Sequence, residues 1–516
     1  MKRTLALLLS LLMMVSLFAG CGDKAGTPEQ TDAAPTEEDR IVKMAVGSAW
    51  ATLDPLADNN LLTKEMWYQV YEGLIYYNYE ESKAEPRVAE SYTMSDDGCT
   101  WTFTLRDGVK FHNGDVVTAD DVLYSFEQAM AAPLYATYVS GISSVTSPDA
   151  KTIEIKLETP SAVFLQNIAE IFIFSKAFNE ANDISKTACG TGPFMIKSVD
   201  MNTKIEISRF DDYYLGAAKL AGASWDVIAD TAAQAMALEA GELDFLTIAH
   251  SQYEEFESKD GFQVGQVPTY HTVWVTFNNE EGPFSDVRVR KAFSYLIDRE
   301  AICIACFEGM AEVDSLLLNP NIQGMPDRST LAQYEYEYNP EKGLALLQEA
   351  GYDTSKEIDL GTIYSYAEGH YITKACPVIQ ANLAQYGIKI NIDAGDTNAF
   401  VEKLYNGETP VAMSGGAYGA DMSMYYQIFG SYNYKVYGGS AFCYKNADLD
   451  ALFEQGAVQT DLKDRQATYE QVMKILYDDC IGTGVGHKYN VYAWTDGLTP
   501  VLRSNTYHLY DWSFDA

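Results

Sequence analysis

The chain has 516 residues, with 36 Lys and Arg against 73 Asp and Glu, a formal net charge of -37, and is 47% hydrophobic. That length and apolar content predict several packed lobes, and exclude both a disordered acidic tail and a disulfide-stapled miniprotein. So acidic a surface repels phosphate backbones and anionic headgroups, so neither nucleic acid nor electrostatic membrane docking is expected.

The first residues read as an export signal. Met1, Lys2 and Arg3 are a short positive start, Leu5 to Phe18 is almost unbroken apolar sequence, and Ala19 and Gly20 are small residues just before Cys21. Small residues followed by Cys resemble the lipobox of bacterial lipoproteins, with Phe18 standing where Leu is commoner. That resemblance implies a signal peptide over 1–20, lipidation of Cys21 and a membrane anchor; the alternative is an ordinary signal cleaved nearby. Residues 21–40 are rich in Thr, Pro, Ala and Glu without apolar periodicity, the composition of a flexible tether.

A first strand is expected at Ala45 to Ser48, with Trp50 and Thr52 in the loop after it. Trp101, Phe103 and Leu105 alternate with polar residues, Asp107-Gly108 offers a turn, and Val109 and Phe111 resume the alternation, which predicts a hairpin. Thr118 stands three residues before Asp121 as a variant capping box, opening a helix with Val122, Phe126 and Ala129 on one face. Ile153, Ile155 and Leu157, and then Ile205 and Ile207, read as strands. Helical spacing returns at Val289 to Ile297, from Pro340 to Ala350 with a stop at Gly351, and from about Lys463 to Tyr477. Strands between helices, with hairpins inserted, indicate α/β lobes carrying a β-rich elaboration.

Eight cysteines are spread along the chain. With Cys21 lipidated the remainder is odd, so at least one thiol is free or pairs outside the chain. Cys303 and Cys306 form a CxxC at the end of an expected helix with no second pair and no nearby His, which favours buried thiols or one local disulfide over zinc or redox chemistry. The six histidines are scattered, and no GxSxG, HExxH, P-loop or GxGxxG follows a strand. The expectation is a chain that is not an enzyme and holds no metal or cofactor. Gly482-Thr-Gly-Val-Gly486 before His487 lacks the dinucleotide spacing and reads as a flexible return toward a hinge.

Several segments together resemble one family. They are Val70-Tyr-Glu-Gly-Leu-Ile75, Ala84-Glu-Pro-Arg-Val-Ala-Glu-Ser91, Asp96-Asp-Gly-Cys-Thr-Trp-Thr-Phe-Thr-Leu-Arg106, Gly108-Val-Lys-Phe-His112 and Thr118-Ala-Asp-Asp-Val122. Further on come Gly190-Thr-Gly-Pro-Phe194, Ala240-Gly-Glu-Leu-Asp244, Phe277-Asn-Asn279, Phe284 to Asp298 and Tyr338-Asn-Pro-Glu341. Their order resembles that of bacterial extracellular solute-binding proteins of family 5, the peptide and nickel binders that feed ABC importers. The resemblance implies a two-lobed, type II-like periplasmic-binding-protein fold of cluster C with an extra β-rich subdomain. On this reading the first lobe covers 41–276 with the subdomain at about 78–189, the second lobe covers 277–486, and 487–516 returns to the first. It further implies a monomer that captures a peptide or amino-bearing solute and hands it to permease subunits. An oligosaccharide or nickel complex is the alternative within the family, and a secreted hydrolase the alternative outside it.

Asp421 matches the position where peptide-binding relatives place an Asp against the ligand ammonium. A carboxylate closed into a dry cleft requires a cation, so its presence there argues for an amino-bearing ligand. The neighbouring Tyr418 stands where relatives tend to carry Trp, and 397–413 contain neither Trp nor Arg for a carboxylate clamp. The competing reading is an exposed Asp in a Gly-rich loop. Trp50 and Thr52 face the cleft or belong to a surface loop; Tyr270 and Trp274 share one strand face that is either core or cleft. The chain has 36 tyrosines, flat amphipathic surfaces suited to peptide and sugar alike.

Overall fold

The computed structural model describes residues 40–58, 61–504 and 506–515; the signal, Cys21 and the tether lie outside them. The chain folds into two α/β lobes whose sheets share two long antiparallel strands, Phe262–Phe277 and Gly482–Thr495. The pairing runs from Phe262 opposite Thr495 to Thr276 opposite Gly482, with irregularities at Pro268/Thr272 and Val273/Trp274. At one end Gly482–Thr495 is flanked by Phe245–Thr247; at the other Phe262–Phe277 is flanked by Val411–Gly416, followed by the parallel strands Ile358–Tyr364 and Ile388–Asp393.

The first lobe adds a sheet in which Ile41–Val46 runs parallel to Gly222–Val227, which pairs in turn with Lys204–Arg209 and Phe194–Asp200. Its first strand therefore begins and ends earlier than Ala45 to Ser48, because Val42, Met44 and Val46 are the alternating residues that bury. A separate sheet with its own core, Ala89–Met94, Thr100–Leu105, Thr152–Leu157 and Ile142–Asp149, forms the β-rich subdomain. The Asp107-Gly108 hairpin does not form. Both edges of Thr100–Leu105 are occupied, by Ala89–Met94 and Thr152–Leu157, so Val109 and Phe111 bury in a loop closed by the Lys110 and Val116 bridge. The capping box does form: Asp121 N–H donates to Thr118 Oγ1 at 3.3 Å and Thr118 N–H to Asp121 Oδ2 at 2.9 Å, starting the helix Ala119–Ala131.

Gly482 to Gly486 is not a flexible return but the inner half of a crossing strand. Its glycines answer crowding: a Cβ on Gly484 would sit 2.0 Å from the Leu316 carbonyl oxygen, and one on Gly486 2.7 Å from Cys303 Sγ. Two buried arginines hold this strand and the chain leading into it. Arg299 donates to Gly484 O at 2.9 Å and Thr483 Oγ1 at 2.7 Å, and Arg290 to Cys480 O at 2.9 Å and Asp479 O at 2.6 Å. The seven described cysteines are free thiols. Cys303 and Cys306 are buried on the helix Arg299–Phe307, where burial pushes both thiols up to about 12 and keeps them protonated.

Gly484→Ala is expected to destabilise the protein by about 2 kcal/mol or more, since the clash is with backbone that cannot swing aside. Urea denaturation measures it, and a wild-type midpoint would refute the close-approach account of these glycines.

Candidate functional site

Asp421 is 0% exposed, which excludes the exposed-loop reading. It caps the short helix Met422–Tyr425, accepting from Ser423 N–H at 2.9 Å and Ser423 Oγ at 2.8 Å. Arg465, on the helix Leu462–Asp479, donates through Nη2 to both of its carboxylate oxygens, at 2.6 and 2.9 Å. The cation this buried carboxylate requires is thus present in the chain.

The pair lies where the lobes touch. Gln166, from the helix Phe164–Ala169 of the subdomain, donates to Asp421 Oδ2 at 3.4 Å and also to Gln323. Tyr77 donates to Gln323 Oε1 at 2.7 Å, and Gln323 is fixed against Asp421 by Gln323 N–H to Ala420 O at 2.8 Å and Met422 N–H to Gln323 O at 3.0 Å. Ala162 N–H donates to Ala457 O at 3.0 Å beside them. Polar groups from the subdomain and the second lobe therefore form one latch.

The other residues singled out from sequence divide. Trp274 is buried, donates its indole N–H to Ser414 Oγ at 2.8 Å and stacks on the half-buried Tyr418 with ring centres 6.2 Å apart. Tyr270 is half-buried against the same core and its phenol reaches Ser504 of the C-terminal tail. Trp50 and Thr52 are both buried in the first lobe: Trp50 N–H donates to Met201 O at 3.0 Å, and Thr52 Oγ1 accepts from Asp54 N–H at 3.0 Å. Asp421, Tyr418, Trp274 and Tyr270 are brought together; Trp50 and Thr52 are not among them.

A cavity of about 300 Å³ lies beside the latch. Its walls come from distant segments: residues 68–87, 169–172, 193–215 and the tail 503–511. Tyr77 belongs to both, lining the cavity and holding Gln323. Seven tyrosines line it, giving flat faces with polar rims. Glu72 receives the hydroxyls of Tyr213 at 2.6 Å and Tyr214 at 2.7 Å and lies 3.6 Å from Arg87, yet burial still pushes its carboxyl up to about 7. Glu170 accepts from Tyr68 at 2.7 Å and Lys64 at 3.3 Å. Burial, with Arg503 and Arg87 nearby, pushes His508 down to about 3, so its ring is neutral at physiological pH. The sequence signals for this wall are three family segments: Val70-Tyr-Glu-Gly-Leu-Ile75 supplies Tyr71, Glu72, Gly73 and Ile75, Ala84–Ser91 supplies Glu85 and Arg87, and Gly190–Phe194 supplies Pro193.

Two α/β lobes joined by paired crossing strands, with a latch where they meet and an aromatic, charged cavity beside it, define a hinge-linked solute-binding protein. The sequence pattern of bacterial extracellular solute-binding proteins, family 5 Middle, matches residues 83–436, and the chain belongs to that family. Among its relatives, the glutathione-binding protein GsiB of Salmonella paratyphi A is 27% identical over 473 residues, covering 88% of this chain and 90% of GsiB. Solved structures share the fold. The ABC transporter substrate-binding protein CtaP of Listeria monocytogenes superposes with a TM-score of 0.79 at 24% identity, covering 93% of this chain and 100% of CtaP. The periplasmic binding protein DppA of Helicobacter pylori, in complex with the peptide STSA, superposes with a TM-score of 0.68 at 24% identity, covering 92% and 98%.

Asp421→Asn leaves Arg465 buried opposite a neutral amide and is expected to cost about 3–5 kcal/mol of stability in ligand-free protein. Urea denaturation reads the loss. Wild-type stability together with weakened ligand binding would instead make Asp421 a direct ligand contact.

Proposed function

We propose that the chain is the substrate-binding lipoprotein of an ABC importer, capturing a peptide or similar amino-bearing solute and delivering it to membrane permease subunits. The observation that carries this reading is the tyrosine-lined cavity of about 300 Å³ beside the lobe contact in a chain of this family. Its volume lies at the small end of ligand pockets and suits a solute the size of a di- or tripeptide. Relatives that bear peptide ligands in their names or titles support the same class.

In this reading residues 41–276 and 487–516 form the first lobe and 277–486 the second, with the crossing strands as the hinge. Asp421 acts on the ligand through the latch it organises, with Tyr418, Trp274 and Tyr270 packed around the second-lobe side. Trp50 and Thr52 shape the loop that leads into the helix carrying Tyr68. The protein works as a monomer without turnover of its own, needs no cofactor or metal, and is held outside the membrane by lipid on Cys21 after removal of residues 1–20. No helix among the described residues is long and apolar enough to cross a membrane.

Thermal-shift measurement on the mature protein tests the solute class against di- and tripeptides including glutathione, oligosaccharides and nickel complexes. A ligand at 100 times its Kd stabilises the protein by about 2.7 kcal/mol. A shift with peptides is expected; a shift confined to sugars or nickel complexes, or hydrolysis of any of these compounds, would overturn the reading. For the anchor, the full chain expressed in bacteria should partition into detergent and Cys21→Ser should move it to the aqueous phase. Unchanged partitioning would remove the lipid assignment.

A further inference from the structure

The acceptor capacity of Asp421 is already used within the chain. Its Oδ1 accepts from Ser423 N–H at 2.9 Å, Ser423 Oγ at 2.8 Å and Arg465 Nη2 at 2.6 Å, and its Oδ2 accepts from Arg465 Nη2 at 2.9 Å and Gln166 Nε2 at 3.4 Å. An ionised carboxylate offers about four lone-pair sites, and these donors fill them. With the residue 0% exposed, an incoming ammonium finds no open acceptor there.

Arg465 is not free to give up its place. Its side chain is 4% exposed, its Nε donates to Gly456 O at 3.2 Å, and its guanidinium lies over the Tyr469 ring at 5.5 Å. Glycines let the chain close around the two: a Cβ on Gly324 would stand 3.5 Å from Arg465 Cζ, and one on Gly456 2.4 Å from Tyr469 Cζ. Burial opposes the Arg465 charge, and Asp421 more than offsets that, holding its pKa above the ordinary value. A solute ammonium that took Asp421 from it would strand a buried cation, which costs more than the new pair returns. Nearby acids offer no substitute. Glu72 is buried and holds the Tyr213 and Tyr214 hydroxyls at 2.6 and 2.7 Å with Arg87 at 3.6 Å, while the Glu80 side chain is 38% exposed, where an ion pair is worth little.

We propose that Arg465 stands where a solute's terminal ammonium would otherwise be held, so that the protein takes N-acylated peptides as readily as peptides with a free amino end. The inference rests on the peptide reading of the proposed function. Arg465 acts through Asp421 and is in this sense a positioning residue: it supplies the cation from within the chain. The groups that join the pair to the first lobe are neutral, the Gln166 and Gln323 amides and the Tyr77 hydroxyl, and they set no preference for a charged solute end.

Calorimetric titration of the mature protein with Ala-Ala-Ala and with propanoyl-Ala-Ala, the same molecule with hydrogen in place of its amino group, provides the test. Propanoyl-Ala-Ala is expected to bind at least about a third as tightly as Ala-Ala-Ala, whereas an ammonium paired with a carboxylate would favour Ala-Ala-Ala by about tenfold or more. Arg465→Gln keeps a donor for Asp421 and removes the charge, so in that variant a preference of about tenfold for Ala-Ala-Ala should appear. A folded Arg465→Gln protein without that preference, or wild-type protein that favours Ala-Ala-Ala by more than about threefold, would overturn the inference and leave peptide capture standing. The wild-type comparison decides even where the variant does not fold. If neither compound binds, peptide capture fails and the inference with it.

Discussion

The pairing of Phe262–Phe277 with Gly482–Thr495 is the constraint on which the rest of the structure depends. Each strand spends one half in each lobe, so a single ladder of backbone hydrogen bonds sets where the lobes lie and where the chain can bend. Such a ladder tolerates little beside it. The second-lobe half of Gly482–Thr495 is squeezed against residues 315–316 and the helix carrying Cys303, and only glycine fits at Gly484 and Gly486. Arg290 and Arg299 clamp the same stretch through carbonyls and a hydroxyl, with no direct carboxylate contact. Burial pushes Arg299 down to about 10, still high enough to keep it charged and donating at neutral pH.

The carboxylates near the lobe contact differ in burial and in partners: Asp421 and Glu72 are buried, while the Glu80 side chain is exposed. Asp421 is matched by Arg465, Ser423 and Gln166, the partners that build the latch. Among the cavity acids, Glu72 and Glu85 share Arg87, and Glu80 and Asp511 share Arg503. A compensated pair in a low-dielectric setting loses stability when either partner is removed, which ties the latch to both Asp421 and Arg465. Tyr77 connects the latch and the cavity, since it lines the cavity with its ring and ties Gln323 of the second lobe with its hydroxyl.

Much of the fold was legible locally. Ile153, Ile155 and Leu157 bury on one face of Thr152–Leu157, the Thr118 box caps its helix, and the helices at Val287–Leu296, Pro340–Glu349 and Leu462–Asp479 lie where apolar spacing put them. The misreadings share a cause. The alternation through Asp107-Gly108 is a good local hairpin, but both edges of Thr100–Leu105 pair with strands from elsewhere. Gly482 to Gly486 has the composition of a flexible linker, yet its glycines serve a packed strand whose neighbours lie far away in sequence.

By itself the sequence determined the family, the two-lobed α/β architecture, several of the helices and strands, and the acidic charge of the chain. These follow from motif order, periodicity and composition, which are local or additive properties. Only the tertiary structure decided that Asp421 meets Arg465, that Gln166 and Tyr77 reach Gln323, and that a tyrosine-lined cavity is closed by residues 503–511. The physical reason is that charge compensation and cavity shape depend on which side chains meet. Asp421 and Arg465 are 44 positions apart, Tyr77 and Gln323 are 246 apart, and Glu80 and Ser504 are 424 apart. No spacing in the chain records those meetings.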